Sequence, residues 1–138
     1  MSDINVEPYL FFKGNAGEAM EFYKSIFGGD VEGMTYNASN IPAPGGLSGD
    51  SWMHMSLSGG DVNLMASDTT EASEKSAKVS ISLGGDDEEK LTRFFNALSE
   101  GVEVQYPLKK EFWGDTFGSL TDKYGIEWMV NISAKTES

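Results

Sequence analysis

Residues 8–29 read PYLFFKGNAGEAMEFYKSIFGG. Apolar side chains alternate over Pro8, Leu10 and Phe12, Gly14 breaks the pattern, and Asn15 and Glu18 stand three residues apart where a helix would begin. Alternation with period two predicts a strand, and the Asn15–Glu18 pair has the spacing of a capping box, with Asn15 as cap and Glu18 bonding back to its N–H. Ala19, Tyr23, Ile26 and Phe27 then fall on one helical face, with Met20 and Phe22 at its edge, until Gly28-Gly29 stops the helix.

Residues 79–101, VSISLGGDDEEKLTRFFNALSEG, repeat this order at an offset of 71. Gly14 falls on Gly85, Glu18 on Glu89, Val31 on Val102 and Glu32 on Glu103, while Pro8, Leu10 and Phe12 fall on Val79, Ile81 and Leu83. Asp86 and Glu89 repeat the box, Leu91, Phe94, Phe95 and Leu98 form the apolar stripe, and Gly101 ends the helix. The acidic run Asp86–Glu89 reads as a complement to the helix dipole rather than as a metal cluster. Further on, with a connection six residues shorter, Gly60 falls on Gly125. Each match is weak alone; their shared order is what argues for two copies of one unit.

Between the helices the alternation continues. Met53, Met55 and Leu57 are expected to face one way and Trp52, His54, Ser56 and Ser58 the other; Val62, Leu64 and Ala66 alternate with Asn63, Met65 and Ser67. Gly59-Gly60-Asp61 marks a hairpin between these strands. Residues 79–83, 102–106, 117–121 and 127–132 read as strands, and 37–50 as a loop. The fold class that follows is α+β: two βαβββ modules forming a cupped, mainly antiparallel sheet with the helices outside. One domain is expected over 1–138, with module one at 5–68, a linker at 69–76 and module two at 77–133. Trp52, His54, Ser56, Asn63 and Met65 are too large and too polar for an ordinary solvent face, and point to a cleft.

Composition narrows the chemistry. The 138 residues include 22 acidic and 10 basic side chains, for a formal charge of −12, with one histidine and no cysteine. There is no disulfide, no thiolate metal site and no cysteine nucleophile. One chain cannot supply two imidazole ligands. The acidic balance, with Arg93 the only arginine, argues against nucleic acid and anionic membrane as partners. No apolar run approaches the ~20 residues of a membrane span, and residues 1–9 lack a signal pattern, so the expected location is cytoplasmic. No nucleotide-phosphate loop occurs, and Gly46-Leu47-Ser48-Gly49 lacks the spacing of a nucleophile elbow.

With these pieces in view the chain resembles the PhnB-like branch of the glyoxalase/bleomycin resistance/dioxygenase (vicinal oxygen chelate) superfamily. The resemblance is carried by Pro8–Phe12 with Gly14-Asn15-Ala16, Glu21-Phe22-Tyr23, Ile26–Gly29, Met53-His54-Met55 and the Gly60-Asp61 hairpin. It ends in Phe112-Trp113-Gly114-Asp115, Phe117-Gly118 and the string Asp122–Trp128, and so spans nearly the whole chain. The resemblance implies paired βαβββ modules and a homodimer. In the metal enzymes of the superfamily it also implies a divalent ion held by histidine and glutamate. Here the corresponding positions hold Pro8 and Tyr9, Met65 and Ala66, Ala77 and Lys78, and Met129, with Glu127 two residues earlier. The usual metal set is therefore not expected. The demethylubiquinone methyltransferase label that members of the branch sometimes carry finds no methyl-donor site here.

The leading expectation is a small-molecule-binding protein without that metal, its cleft lined by Tyr9, Trp52, His54, Met65, Trp113 and Trp128 and suited to an uncharged or cationic organic ligand. His54 is the candidate general base, against a purely structural role. The alternative is a divalent-metal lyase, isomerase or dioxygenase with His54, Glu127 and an acid from a partner chain. A third reading is a scaffold that serves only to dimerise.

Overall fold

The computed structural model describes residues 7–69 and 79–134; most of the expected linker, together with Ala77 and Lys78, lies outside them. The chain divides into two compact units, residues 1–76 and 77–138.

Unit one runs β1 (Tyr9–Phe12), α1 (Ala16–Phe27), β2 (Asp30–Thr35), α2 (Tyr36–Ser39), β3 (Trp52–Ser58) and β4 (Leu64–Asp68). Its sheet has the order β1-β4-β3-β2, with β1 and β4 parallel and the other pairs antiparallel. Unit two repeats the plan with β5 (Ile81–Gly85), α3 (Glu88–Leu98), β6 (Val104–Lys110), β7 (Thr116–Thr121) and β8 (Glu127–Ile132), in the order β5-β8-β7-β6. The α+β class and the doubled βαβββ order are as the repeat predicts. The segment read as a loop from residue 37 differs in holding one short helical turn, α2, whose first turn Thr35 caps by accepting the Ala38 N–H.

The helices α1 and α3 each bury an apolar stripe on one face of their sheet. In unit one Ala16, Ala19, Met20, Tyr23 and Phe27 meet the side of the sheet that carries Leu10, Phe12, Met55, Leu57, Leu64 and Ala66, all buried. In unit two Leu91, Phe94, Phe95 and Leu98 are buried with Leu120, Trp128, Val130 and Ile132. Burying one such side chain contributes about 1.5–3 kcal/mol before entropy is counted, so these layers carry most of the stability.

The helix starts depart from the expected boxes. Asn15 stands at the cap position of α1 but makes no side-chain cap bond; the carboxylate of Asp68, at the end of β4, accepts the Ala16 N–H at 2.8 Å instead. In α3 the cap is Asp87, one residue later than expected, accepting the Lys90 N–H at 3.1 Å. Glu88 and Glu89 occupy the first turn, where their charge complements the dipole.

Two of the double glycines of unit one meet. Gly28-Gly29 ends α1, Gly59-Gly60 turns β3 into β4, and Asp61 donates its N–H to the Phe27 carbonyl at 3.0 Å. A Cβ on Gly60 would lie 2.4 Å from the Gly28 oxygen and one on Gly29 2.5 Å from the Ser58 oxygen, so no side chain fits between these backbones.

Candidate functional site

The face of the unit-one sheet away from α1 carries most of the polar and aromatic chemistry. Register places Tyr9 beside Met65 and Phe11 beside Ser67 across the β1–β4 pair, Met65 beside Ser56 across β4–β3, and Met34 beside His54 across β3–β2. Paired residues share a face, so Tyr9, Phe11, Met65, His54 and Met34 lie on one surface. It is half open: Tyr9 is 39% exposed, Phe11 37% and Met34 48%, with His54 and Met65 half-buried.

At its centre the Tyr9 hydroxyl lies 3.1 Å from Nδ1 of His54. The Tyr9 ring stacks on Phe11 at 5.1 Å between centroids and 26° between planes, and leans over the His54 ring at 5.8 Å and 45°. Stacking fixes where the hydroxyl points, and the hydroxyl in turn holds the imidazole. Among the described residues the other ring nitrogen of His54 has no protein partner. An imidazole with one occupied nitrogen and one facing outward can donate to a ligand, accept from it, or exchange a proton with it.

The structure thus brings Tyr9, His54 and Met65 together, but not Trp52. The β2–β3 register shifts between Met34 and Thr35, pairing Met34 with His54 and Thr35 with Trp52 and leaving Met53 as the extra residue. Such a bulge breaks the alternation that would set Trp52 beside His54. The indole turns toward α1, where a Cβ on Gly17 would lie 2.7 Å from its Nε1. There it walls a cavity of about 330 Å³ whose lining includes Gly14, Glu18, Asp50, Ser51 and Asp68.

Three other expected residues belong to unit two. Trp128, expected as a liner, is fully buried on the α3 side of its sheet and donates its indole N–H to Asp122 at 2.8 Å. Asp122 also accepts the Tyr124 and Ile126 N–H groups and so joins turn to core. Glu127 lies on the opposite face of β8 and accepts the Ser80 hydroxyl. Trp113, 54% exposed, packs edge-on against the 97% exposed Phe112 at the turn between β6 and β7. Asp115 secures the base of that turn by accepting from Asn131 and from the Ala134 N–H, each at 3.1 Å.

Sequence reasoning missed Phe11 and Met34. Phe11 is signalled by its place two residues after Tyr9. Met34 is signalled by nothing before the β2–β3 register is known.

The resemblance relates several positions of this chain to the divalent-ion ligands of the superfamily's metal enzymes. Of the corresponding positions, Tyr9 and Met65 offer a phenol and a thioether and Met129 a second thioether, whereas a divalent Lewis acid takes imidazole and carboxylate. Among the described residues no three histidine, aspartate or glutamate side chains are grouped to hold a metal.

Residues 4–131 match the family described as 3-demethylubiquinone-9 3-methyltransferase. The chain is 40% identical to protein PA1353 from Pseudomonas aeruginosa, whose crystal structure superposes with a TM-score of 0.82 over 96% of this chain and 100% of that one. It is 22% identical to the PhnB protein from Bacillus cereus, with a TM-score of 0.68 over 94% and 100% of the two chains. A glyoxalase/bleomycin resistance protein/dioxygenase family enzyme from Burkholderia phytofirmans PsJN, 13% identical, shares the fold with a TM-score of 0.56 over 90% and 94%.

Proposed function

The chain belongs to the 3-demethylubiquinone-9 3-methyltransferase family, among the PhnB-like proteins of the glyoxalase/bleomycin resistance superfamily, and from that premise we propose that it binds a small organic molecule without the superfamily's divalent metal. The binding surface is the open sheet face of unit one. The observation that carries this reading is the Tyr9–His54 pair, a half-exposed phenol and imidazole bonded at 3.1 Å and flanked by Phe11, Met65 and Met34. Rings and thioethers offer flat, polarizable contact, and the imidazole supplies one polar handle.

The charge of the ligand follows from the same face. Its strand residues include Asp30 and Glu32 on β2 and no lysine or arginine, and the whole chain carries −12. An uncharged or cationic molecule suits this field better than an anion. The proposal includes a homodimer in the cytoplasm; among the described residues no helix is long and apolar enough to cross a membrane. Sedimentation at several concentrations checks the dimer.

Titration of labelled protein with a panel of naphthalene and quinoline derivatives, followed by amide NMR, tests the site. Shifts gathered on β1, β3 and β4 around Tyr9, His54 and Met65 are expected; binding that leaves these strands unmoved overturns the reading. A parallel melt with chelator and with added Mn, Fe, Ni and Zn addresses the metal. A stoichiometric ion that raises the melting temperature, and loses its effect in His54→Ala, would put a metal-dependent lyase, isomerase or dioxygenase in its place.

A further inference from the structure

Resting on that reading of the open face as the ligand site, we propose that Tyr9 holds the proton of His54 on Nε2, so that the site reads its ligand through an imidazole N–H and selects flat, non-anionic molecules bearing a carbonyl or similar acceptor. Tyr9 acts here through His54 and is a positioning residue.

The hydroxyl–Nδ1 contact at 3.1 Å can be made in two ways. Either the phenol donates to a bare Nδ1, or a protonated Nδ1 donates to the phenol oxygen. A phenol is the stronger acid of the two donors and an imidazole nitrogen the stronger base of the two acceptors, so the first arrangement is the better hydrogen bond. Tyr9 is placed to make it, because stacking on Phe11 at 5.1 Å holds the ring and register sets it beside Met65. A neutral imidazole with a bare, accepting Nδ1 carries its proton on Nε2. That nitrogen has no protein partner among the described residues, so the N–H is left for a ligand.

The rest of the face sets the other requirements. Phe11, Met34 and Met65 offer apolar area without hydrogen bonds, which rewards a flat ring. Asp30 and Glu32 along β2, with no cation among the strand residues of the face, leave an anion without a counter-charge. An acceptor group on an otherwise apolar, non-anionic ring system satisfies all of these together.

His54 is the only histidine, so long-range proton–nitrogen NMR of the imidazole reports a single spin system. In mildly alkaline buffer the tautomer with its proton on Nε2 is expected to dominate in the free protein, and Tyr9→Phe to move the balance toward a mixture. Dominance of the Nδ1-protonated tautomer in the unsubstituted protein overturns the proposal while leaving the face free to bind ligands of other chemistry. A second arm compares 2-acetylnaphthalene with 2-isopropenylnaphthalene, whose substituents share a trigonal carbon and the same number of heavy atoms but differ in the acceptor. The ketone is expected to bind on the order of threefold to tenfold tighter, the range of one modest hydrogen bond, and Tyr9→Phe to remove most of that difference. Equal affinities overturn the proposal. Failure of both probes to shift amides around Tyr9, His54 and Met65 overturns the binding reading beneath it as well.

Discussion

The carboxylate of Asp68 accepts the backbone N–H of Trp52 at 2.8 Å. Its other oxygen accepts the N–H of Ala16, also at 2.8 Å, and its own carbonyl accepts the Tyr36 hydroxyl at 3.3 Å. One side chain, 1% exposed, thus fastens the end of β4 to the start of α1 and to the start of β3, two residues before His54.

Removing that carboxylate leaves the buried Ala16 N–H and the part-buried Trp52 N–H without an acceptor, and takes from the start of α1 the side chain that satisfies it. Asp68→Ala is expected to lower unfolding stability by about 2–4 kcal/mol, with Asp68→Asn losing less because one acceptor oxygen remains. Urea titration followed by far-ultraviolet dichroism reads both. A variant as stable as the parent would show that the strand ends and the helix start hold without it.

Trp128 makes the corresponding demand on unit two. It is 0% exposed, and its indole N–H is bonded to the 3% exposed Asp122. Trp128→Phe should cost about 2–4 kcal/mol, from the smaller ring and the acceptor it abandons. Acrylamide should quench the exposed Trp113 readily and leave emission from Trp128 nearly untouched, which single-tryptophan variants resolve. Strong quenching of Trp128, or ligand-dependent changes in it, would return that residue to the binding surface.

The parts of the fold legible in the sequence are those written in local periods. The helical stripes, the glycine stops and the offset of 71 residues mark both modules, because an amphipathic helix and a half-buried strand each repeat on a scale of a few residues. What the sequence hid depends on distant partners. The acceptor for the Ala16 N–H comes from 52 residues away, so Asn15 holds the cap position without making the cap bond that its side chain promises. Trp52 leaves the His54 face because of a single extra residue at Met53, which alternation alone cannot see. The β8 pattern was readable: Glu127, Met129 and Asn131 alternate with the buried Trp128, Val130 and Ile132, so no regular strand presents Trp128 and Glu127 on one face.

Gly60→Ala tests the meeting of the two glycine turns. The added methyl would fall 2.4 Å from the Gly28 oxygen and 2.5 Å from the Phe27 oxygen, both backbone atoms with no rotamer to escape into. Either the hairpin or the end of α1 must shift, and overpacking of this kind costs about 1–3 kcal/mol. Gly45→Ala, where nothing lies within 4 Å of the new methyl, is the control and should cost little. Equal stability of the two variants would mean that the turns separate without penalty.

Gly17→Ala separates the Trp52 pocket from the Tyr9–His54 face. The new methyl would lie 2.7 Å from Trp52 Nε1 and 3.2 Å from Cδ1, so the indole has to move. These atoms belong to the far part of a side chain beside a cavity of about 330 Å³, which gives the ring somewhere to go. Alanine is also favoured over glycine in a helix by up to about 1 kcal/mol, which offsets the cost of the shift. Net stability should therefore change by no more than about 1 kcal/mol, while the emission and ring proton signals of Trp52 change clearly. The Tyr9–His54 pair lies on the other side of the sheet, and its imidazole signals should not move. If the ligand sits on that pair, Gly17→Ala binds the naphthalene probes as the parent does. If affinity falls along with the Trp52 signals, the indole is a wall of the ligand site, and the site extends through the sheet edge to the start of α1.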